Sequence, residues 1–169
     1  GRVNPNPLVG AVVVKDGKII GEGYHEYYGG LHAERNALKN CKESSEGATL
    51  YVTLEPCCHY GKTPPCTEAI LEHRIRKVVV GMTDPNPLMA GKSIALLKSK
   101  GVEVEVGVLE KECMELTHIF RKYITTKIPY VLMKYAMTMD GKIATASGKS
   151  KWITGEMARM CVQKTRLEY

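Results

Sequence analysis

Apolar and polar positions along the chain fall into two periods. Leu8 to Val14 is a nearly unbroken apolar run, Lys15-Asp16-Gly17-Lys18 interrupts it, and Ile19 to Tyr24 follows, which predicts a β-hairpin closed by an Asp-Gly turn. After Gly29-Gly30 the spacing changes. Ala33, Ala37 and Leu38 recur at helical intervals and predict a helix from His32 to Cys41. Ala48 to Leu54 reads as a strand, Thr67 to His73 as a helix, and Arg76 to Met82, with its Val78-Val79-Val80 core, as a buried strand. A loop, Thr83 to Pro87, leads to a helix from about Lys92 to Lys100 and a last strand, Val102 to Val108. From Ala48 onward the order is β-α-β-α-β. Right-handed crossovers then make those strands parallel, while the opening hairpin adds an antiparallel edge. The expected fold is α/β, a mixed sheet flanked by helices.

Glu110 to Thr126 predicts one further helix, and Ile128-Pro129 punctuates the chain before an apolar strand, Tyr130 to Met137. The domain boundary is placed there, giving a domain over residues 1–128 and a second segment over 129–169. That segment reads as an Asp140-Gly141-Lys142 turn, a short strand from Ile143 to Thr145, a Ser/Gly/Lys-rich loop through Lys151, then Trp152-Ile153-Thr154 and a helix. It is too short to bury a core of its own. With Gly1 in place of Met at the start and a helical pattern at the end, the chain reads as a piece of a longer protein.

Length and composition narrow the classes. A chain of 169 residues holds one domain of ordinary size with a remainder. Its six cysteines follow no small-domain disulfide framework and no secretory segment precedes them, so a reduced, metal-using cytoplasmic protein is expected. No apolar run reaches the roughly 18 residues of a membrane span. The net charge of +6 comes from Lys and Arg scattered among acids, which argues for an anionic small substrate or a merely solvated surface over nucleic acid.

Three residues then stand out. His32, Cys57 and Cys66 are nitrogen and sulfur ligands of the kind zinc prefers, and three protein ligands leave its fourth position open to water, the arrangement of a catalytic site. Zinc lowers the pKa of that water to roughly 7, and a nearby carboxylate can carry its proton. Glu34, two residues past His32, points away from the ligand direction on a helix yet stays within reach, and reads as proton shuttle rather than ligand. His-x-Glu, then Pro-Cys, then Cys is the order found in zinc deaminases of nucleobases. There the second half is usually Pro-Cys-x-x-Cys, whereas here Cys58 to Pro65 separate the two cysteines. Cys58 is an alternative ligand; Cys57 is preferred because it directly follows Pro56 and adjacent cysteines do not easily share one metal. Both ligand segments sit at turns into helices, where the helix dipole favours thiolate.

Four segments resemble one family: Pro5-Asn6-Pro7-Leu8-Val9-Gly10-Ala11-Val12, His32-Ala33-Glu34, the stretch Thr53-Leu54-Glu55-Pro56-Cys57-Cys58-His59-Tyr60-Gly61-Lys62-Thr63-Pro64-Pro65-Cys66, and Asp84-Pro85-Asn86-Pro87. They are similar to the bifunctional riboflavin-biosynthesis proteins, a pyrimidine deaminase joined to a pyrimidine reductase, in which the long interval between the cysteines is the rule. Met139 to Ala144 and Ser150 to Thr154 resemble the opening of the reductase domain. The resemblance implies a cytidine-deaminase-like three-layer α/β/α sandwich with a mixed central sheet, followed by the start of a dihydrofolate-reductase-like α/β domain. It implies zinc-dependent hydrolytic removal of the 2-amino group of 2,5-diamino-6-(5-phosphoribosylamino)pyrimidin-4(3H)-one, with Glu34 protonating a ring nitrogen and then the departing amine. It further implies substrate contacts from Asn6 and His25 near the base and from His59, Lys62, Thr63, Asp84 and Asn86 around ribose and phosphate. For the reductase part it implies NADP contacts at Ala136 and Trp152, substrate contacts at Ser150 and Arg166, and NADPH-dependent reduction only where that domain is complete. A homo-oligomer with a phosphorylated pyrimidine substrate, and neither nucleic acid nor membrane as partner, completes the expectation.

Plainer accounts compete. Asn6 and Asn86 each lie between prolines and could serve only a turn, and Lys62 could be merely solvated. A deaminase of cytidine or of tRNA adenosine would use the same ligands. A structural zinc module would need a fourth ligand from Cys58, Cys41 or His59.

Overall fold

The computed structural model describes residues 2–168. They form two compact units, Arg2–Pro129 and a second from Tyr130 onward. The first unit is built on a five-stranded sheet: β1 (Gly10–Lys15), β2 (Lys18–Tyr24), β3 (Thr49–Leu54), β4 (Lys77–Met82) and β5 (Glu103–Val106), in the order β2-β1-β3-β4-β5. β1 runs antiparallel to both β2 and β3, and β3, β4 and β5 are parallel. The mixed sheet thus has the expected antiparallel edge. Asp16 and Gly17 both take positive φ, +47° and +74°, the two left-handed positions of a type I′ turn, and this is why Asp-Gly closes the hairpin.

One face of the sheet is covered by α1 (Ala33–Lys39), α2 (Cys66–Glu72) and α3 (Lys92–Ser99). Ala33, Ala37 and Leu38 of α1, Ala69 and Ile70 of α2 and Leu97 of α3 close over Ala11, Val13, Leu50, Val52, Val78 and Val80. The alternation Val78, Val80 on β4 and Leu50, Val52 on β3 is the period of two that turns one strand face inward. α4 (Glu110–Leu116) lies against the face that Gly81 turns toward Cys113, and Cys113 forms a smaller apolar cluster with Leu54 and Met82 at the ends of β3 and β4.

The placement of α1 depends on two glycines of β2. A Cβ at Gly21 would run into the carbonyl of Ala37, and one at Gly23 into the amide of Ala37 and the backbone of Asn36. Backbone cannot move aside as a side-chain tip can, so the helix lies as close to the strand as it does only because both positions lack a side chain. Gly23→Ala is therefore expected to cost about 1–3 kcal/mol in urea unfolding through overpacking. An unchanged midpoint would mean that α1 has room to move.

Two sequence expectations are corrected in this unit. The helix expected over Glu110 to Thr126 is two helices, α4 and α5 (His118–Thr126). Thr117 breaks it: its buried hydroxyl donates to the Cys113 carbonyl, 3.0 Å, and reaches Met82 Sδ, 3.3 Å, and its backbone leaves the helical region at φ −107°. The opening strand begins at Gly10 and not Leu8, after the two prolines.

In the second unit, the expected tight turn at Asp140-Gly141-Lys142 is present, with Gly141 at φ +78° and Thr138 N–H donating to the Lys142 carbonyl. The strands expected over Tyr130 to Met137 and Ile143 to Thr145 are not formed, and no strand occurs in this unit among the described residues. Pairing stops at the turns, leaving Val131 and Met133 exposed; a ribbon with no third strand or covering helix is at best marginal. The dihydrofolate-reductase-like sheet is thus not built here. The unit ends in α6 (Glu156–Glu168).

Candidate metal and deaminase site

His32 ends the loop after Gly29-Gly30 as the N-cap of α1, in extended conformation, with Glu34 in the first turn behind it. Cys57 follows β3 by way of Glu55-Pro56, and Cys66 is the first residue of α2. The fold brings His32 Nδ1, Cys57 Sγ and Cys66 Sγ within 4.8 Å of one another, the nitrogen lying 3.4 Å from each sulfur. Two tetrahedral ligands at ordinary Zn–N and Zn–S lengths stand roughly 3.5 Å apart, so the spacing fits a zinc ion. Among the described residues this group numbers three; Cys58, Cys41 and His59 are not in it. A three-ligand set leaves a position open, as a catalytic site requires and a structural one does not.

The electrostatics favour deprotonated sulfur at Cys57. The Cys57 thiol is pulled down to about 4, because Cys66 donates to its sulfur and because the imidazole of His32 and the Cys66 amide, 3.3 Å away, do so as well. The same contact, with burial, pushes the Cys66 thiol up, so one proton is shared out unequally between the pair. His32 is raised chiefly by its bond to Cys57. Glu34 is raised by burial, only 3% of its surface being exposed, and its own amide works in the opposite direction.

These residues open on a cavity of about 380 Å³, a volume suited to a small ligand. Asn6, His25, His59, Lys62, Thr63, Asp84 and Asn86 all line it, together with His32, Glu34 and Cys57. Cys66, fully buried, belongs to the metal group without lining the cavity. His25 is fixed at both nitrogens, to the Leu31 carbonyl at 3.0 Å and to Asn6 Nδ2 at 3.0 Å, and stands edge-on to the His32 ring. The Asn6 amide is thereby oriented. Lys62 Nζ lies 3.9 Å above the ring of Tyr28. Asp84 accepts the Asn86 N–H, 2.8 Å, and Asn86 that of Leu88, 3.1 Å, so each holds a turn while facing the cavity. Burial pushes the Asp84 carboxyl up.

Several residues went unread in the sequence. Arg35 donates to the carbonyls of Pro64, 3.1 Å, and Pro65, 2.7 Å, tying α1 to the loop that delivers Cys66. Glu55 is buried at the end of β3 and meets the loop around Asp84. Tyr28, Met89, Phe120 and Ile124 also line the cavity, the last two from successive turns of α5. An acid between an apolar strand and a proline was the available signal for Glu55. For α5 there was none, because the break at Thr117 sets its direction.

In the second unit Ala136, Ser150, Trp152 and Arg166 line one cavity of about 290 Å³, with Lys134, Lys151 and Arg159 beside them. The Arg159 guanidinium stacks 4.2 Å from the Trp152 ring.

Residues 2–82 match the family described as the cytidine and deoxycytidylate deaminase zinc-binding region, and residues 129–169 match the RibD C-terminal domain. The riboflavin biosynthesis protein RibD of Actinobacillus pleuropneumoniae is 63% identical over all of this chain, which covers 45% of it; that of Aquifex aeolicus is 55% identical over 99% of the chain, which covers 47% of it. The chain spans about half the length of the curated relatives it matches. A crystal structure of the Thermotoga maritima diaminohydroxyphosphoribosylaminopyrimidine deaminase/5-amino-6-(5-phosphoribosylamino)uracil reductase is similar over 99% of this chain and 48% of its own, at 54% identity and a TM-score of 0.91. With the zinc-site geometry and the mixed sheet, these likenesses settle the family: the chain belongs to the cytidine-deaminase-like superfamily, with the deaminase domains of the RibD proteins.

Proposed function

We propose that residues 1–128 form a zinc-dependent aminohydrolase domain that removes the 2-amino group of 2,5-diamino-6-(5-phosphoribosylamino)pyrimidin-4(3H)-one. The observation that carries this is the buried carboxylate of Glu34 beside a three-ligand His-Cys-Cys group at the floor of a cavity of ligand size. His32, Cys57 and Cys66 would hold a zinc ion, which when bound would acidify a water to a pKa of roughly 7. Glu34 would pass one proton of the water to the ring nitrogen and the second, from the oxygen added at the ring carbon, to the amine, so that the C–N bond breaks as the ring carbonyl forms, ammonia leaves, and no net proton is consumed on the enzyme. Asn6, held by His25, faces the base, and Asp84 and Asn86 face the ribose. His59 and Lys62 are exposed cations or donors at the mouth of the cavity and meet the phosphate.

The phosphate contact separates this reading from a cytidine or tRNA-adenosine deaminase. Zinc-loaded protein is expected to release ammonia from the diaminopyrimidine ribosyl phosphate and not from cytidine. Lys62→Ala is expected to raise KM for the phosphorylated compound about 10- to 100-fold with kcat little changed, the value of a charge-assisted hydrogen bond. Release from cytidine, or a KM indifferent to Lys62, points to another substrate.

The segment over 129–169 is read with it as part of a reductase domain, with Ala136 and Trp152 on NADP and Ser150 and Arg166 on the phosphorylated uracil. Support comes from the single cationic cavity these residues share. A phosphorylated substrate does not cross membranes unaided, which supports a cytoplasmic location. Self-association into a homo-oligomer belongs to the same proposal, and sedimentation of the zinc-loaded protein tests it.

A further inference from the structure

Glu55 is a second carboxylate in the cavity wall, and only 6% of its surface is exposed. Burying a carboxylate is costly unless hydrogen bonds replace its water. Four donors do so. Oε2 accepts the backbone N–H of Asp84, 3.0 Å, and of Gly91, 2.9 Å; Oε1 accepts the Ser93 N–H, 3.2 Å, and the Ser93 hydroxyl, 2.7 Å. A carboxylate has about four lone-pair positions, so its acceptor capacity is filled by protein groups. Glu55 thus has nothing left for a reacting proton, and does not compete with Glu34 for that role.

The donors come from both ends of one loop. Asp84 is the second residue after β4 and Gly91 ends the segment at the N-cap of α3, and a single oxygen holds both. Two residues along the chain from Glu55 is the ligand Cys57, with only Pro56 between. The geometry points to Glu55 as a positioning residue: it fixes the loop carrying Asp84 and Asn86 at a set distance from the metal ligands, so that substrate held by the loop is in register with the metal. This rests on the reading of the cavity as the pyrimidine site.

Glutamine at this position has the same shape but must turn an NH₂ toward donors. Placed at Oε2 it faces two backbone N–H groups; placed at Oε1 it can donate to the Ser93 hydroxyl but strands the Ser93 N–H. In the full, zinc-loaded chain, Glu55→Gln is therefore expected to keep its zinc and a kcat within about threefold. KM for the diaminopyrimidine ribosyl phosphate is expected to rise about tenfold, and the Asp84, Gly91 and Ser93 amides to exchange about tenfold faster by NMR. Ser93→Ala removes one of the four donors and leaves the carboxylate, and is expected to move KM and exchange in the same direction by a smaller factor even where the glutamine variant does not fold. Unchanged exchange at the three amides, a fall in kcat at constant KM, or loss of zinc in step with the rise in KM overturns the assignment. If the wild type releases no ammonia from this compound, the substrate reading fails by itself, while amide exchange still decides whether Glu55 holds the loop.

Discussion

Glu34→Gln is expected to bind zinc as the wild type does and to lose about 10³-fold or more of its ammonia release, a factor within the range of a positioned acid-base group. The two side chains are nearly identical in shape, so the contacts of the first turn of α1 are preserved and only the capacity to carry a proton goes. Stability is expected to move the other way or not at all. Burial disfavours the ionised carboxyl of Glu34, as the upward displacement of its pKa records, and a neutral amide does not bear that cost. A melting temperature that holds or rises while kcat collapses is the signature of a group kept for chemistry at the expense of the fold. The measurement is kcat by ammonia release, with zinc per chain and Tm on the same samples. A fall in kcat of less than about tenfold would remove Glu34 from the proton path. Since the four donors on Glu55 leave it no free lone pair, Asp84 would be the next carboxylate to test.

How much of this was legible in the chain follows from the range of each interaction. The hairpin was readable because Asp16-Gly17 specifies its own turn, with no help from elsewhere. β4 and its parallel neighbours were readable because Val78 to Val80 is an apolar stretch of strand length between helical patterns. The metal group was readable because ligand chemistry restricts residue type, and the order His32, Cys57, Cys66 restricts it further; the fold had only to bring the three within 4.8 Å. The supports around it were not. Arg35 acts on carbonyls of Pro64 and Pro65, and Glu55 on amides of residues 84, 91 and 93, all partners whose distance in sequence hides them. Phe120 and Ile124 enter the cavity only because Thr117 turns back on the Cys113 carbonyl and ends α4, a bond that competes with the helix and that periodicity does not register. The strands expected after Tyr130 failed for a related reason: an apolar run states that a segment can pair, not that a neighbour is at hand.

Cys66→Ala is expected to reduce zinc to below about 0.1 per chain and ammonia release to background, while Cys58→Ala leaves both near wild type. The contrast tests which cysteine of the pair at 57–58 serves the metal, because Cys57 and Cys66 act as one unit. The Cys66 amide and thiol both reach the Cys57 sulfur, and His32 Nδ1 stands 3.4 Å from each. Without Cys66 only two ligands remain, and zinc with two protein ligands competes poorly with solvent. The loss extends to the fold. Metal that binds only the native state stabilises it by about 4 kcal/mol at a thousandfold excess over its Kd, so a chelator is expected to lower the wild-type Tm by several degrees. The same chelator has nothing to remove from Cys66→Ala, whose Tm should already be low and should not respond. A chelator response that survives in Cys66→Ala would place the metal elsewhere, and zinc lost in Cys58→Ala would shift the ligand from Cys57 to its neighbour. Cys58 has no claim on the site by geometry. The group of ligand atoms within 4.8 Å of one another comprises His32, Cys57 and Cys66 and leaves Cys58 out, and the Cys58 thiol is raised by burial and by the negative sulfur of Cys57 next to it.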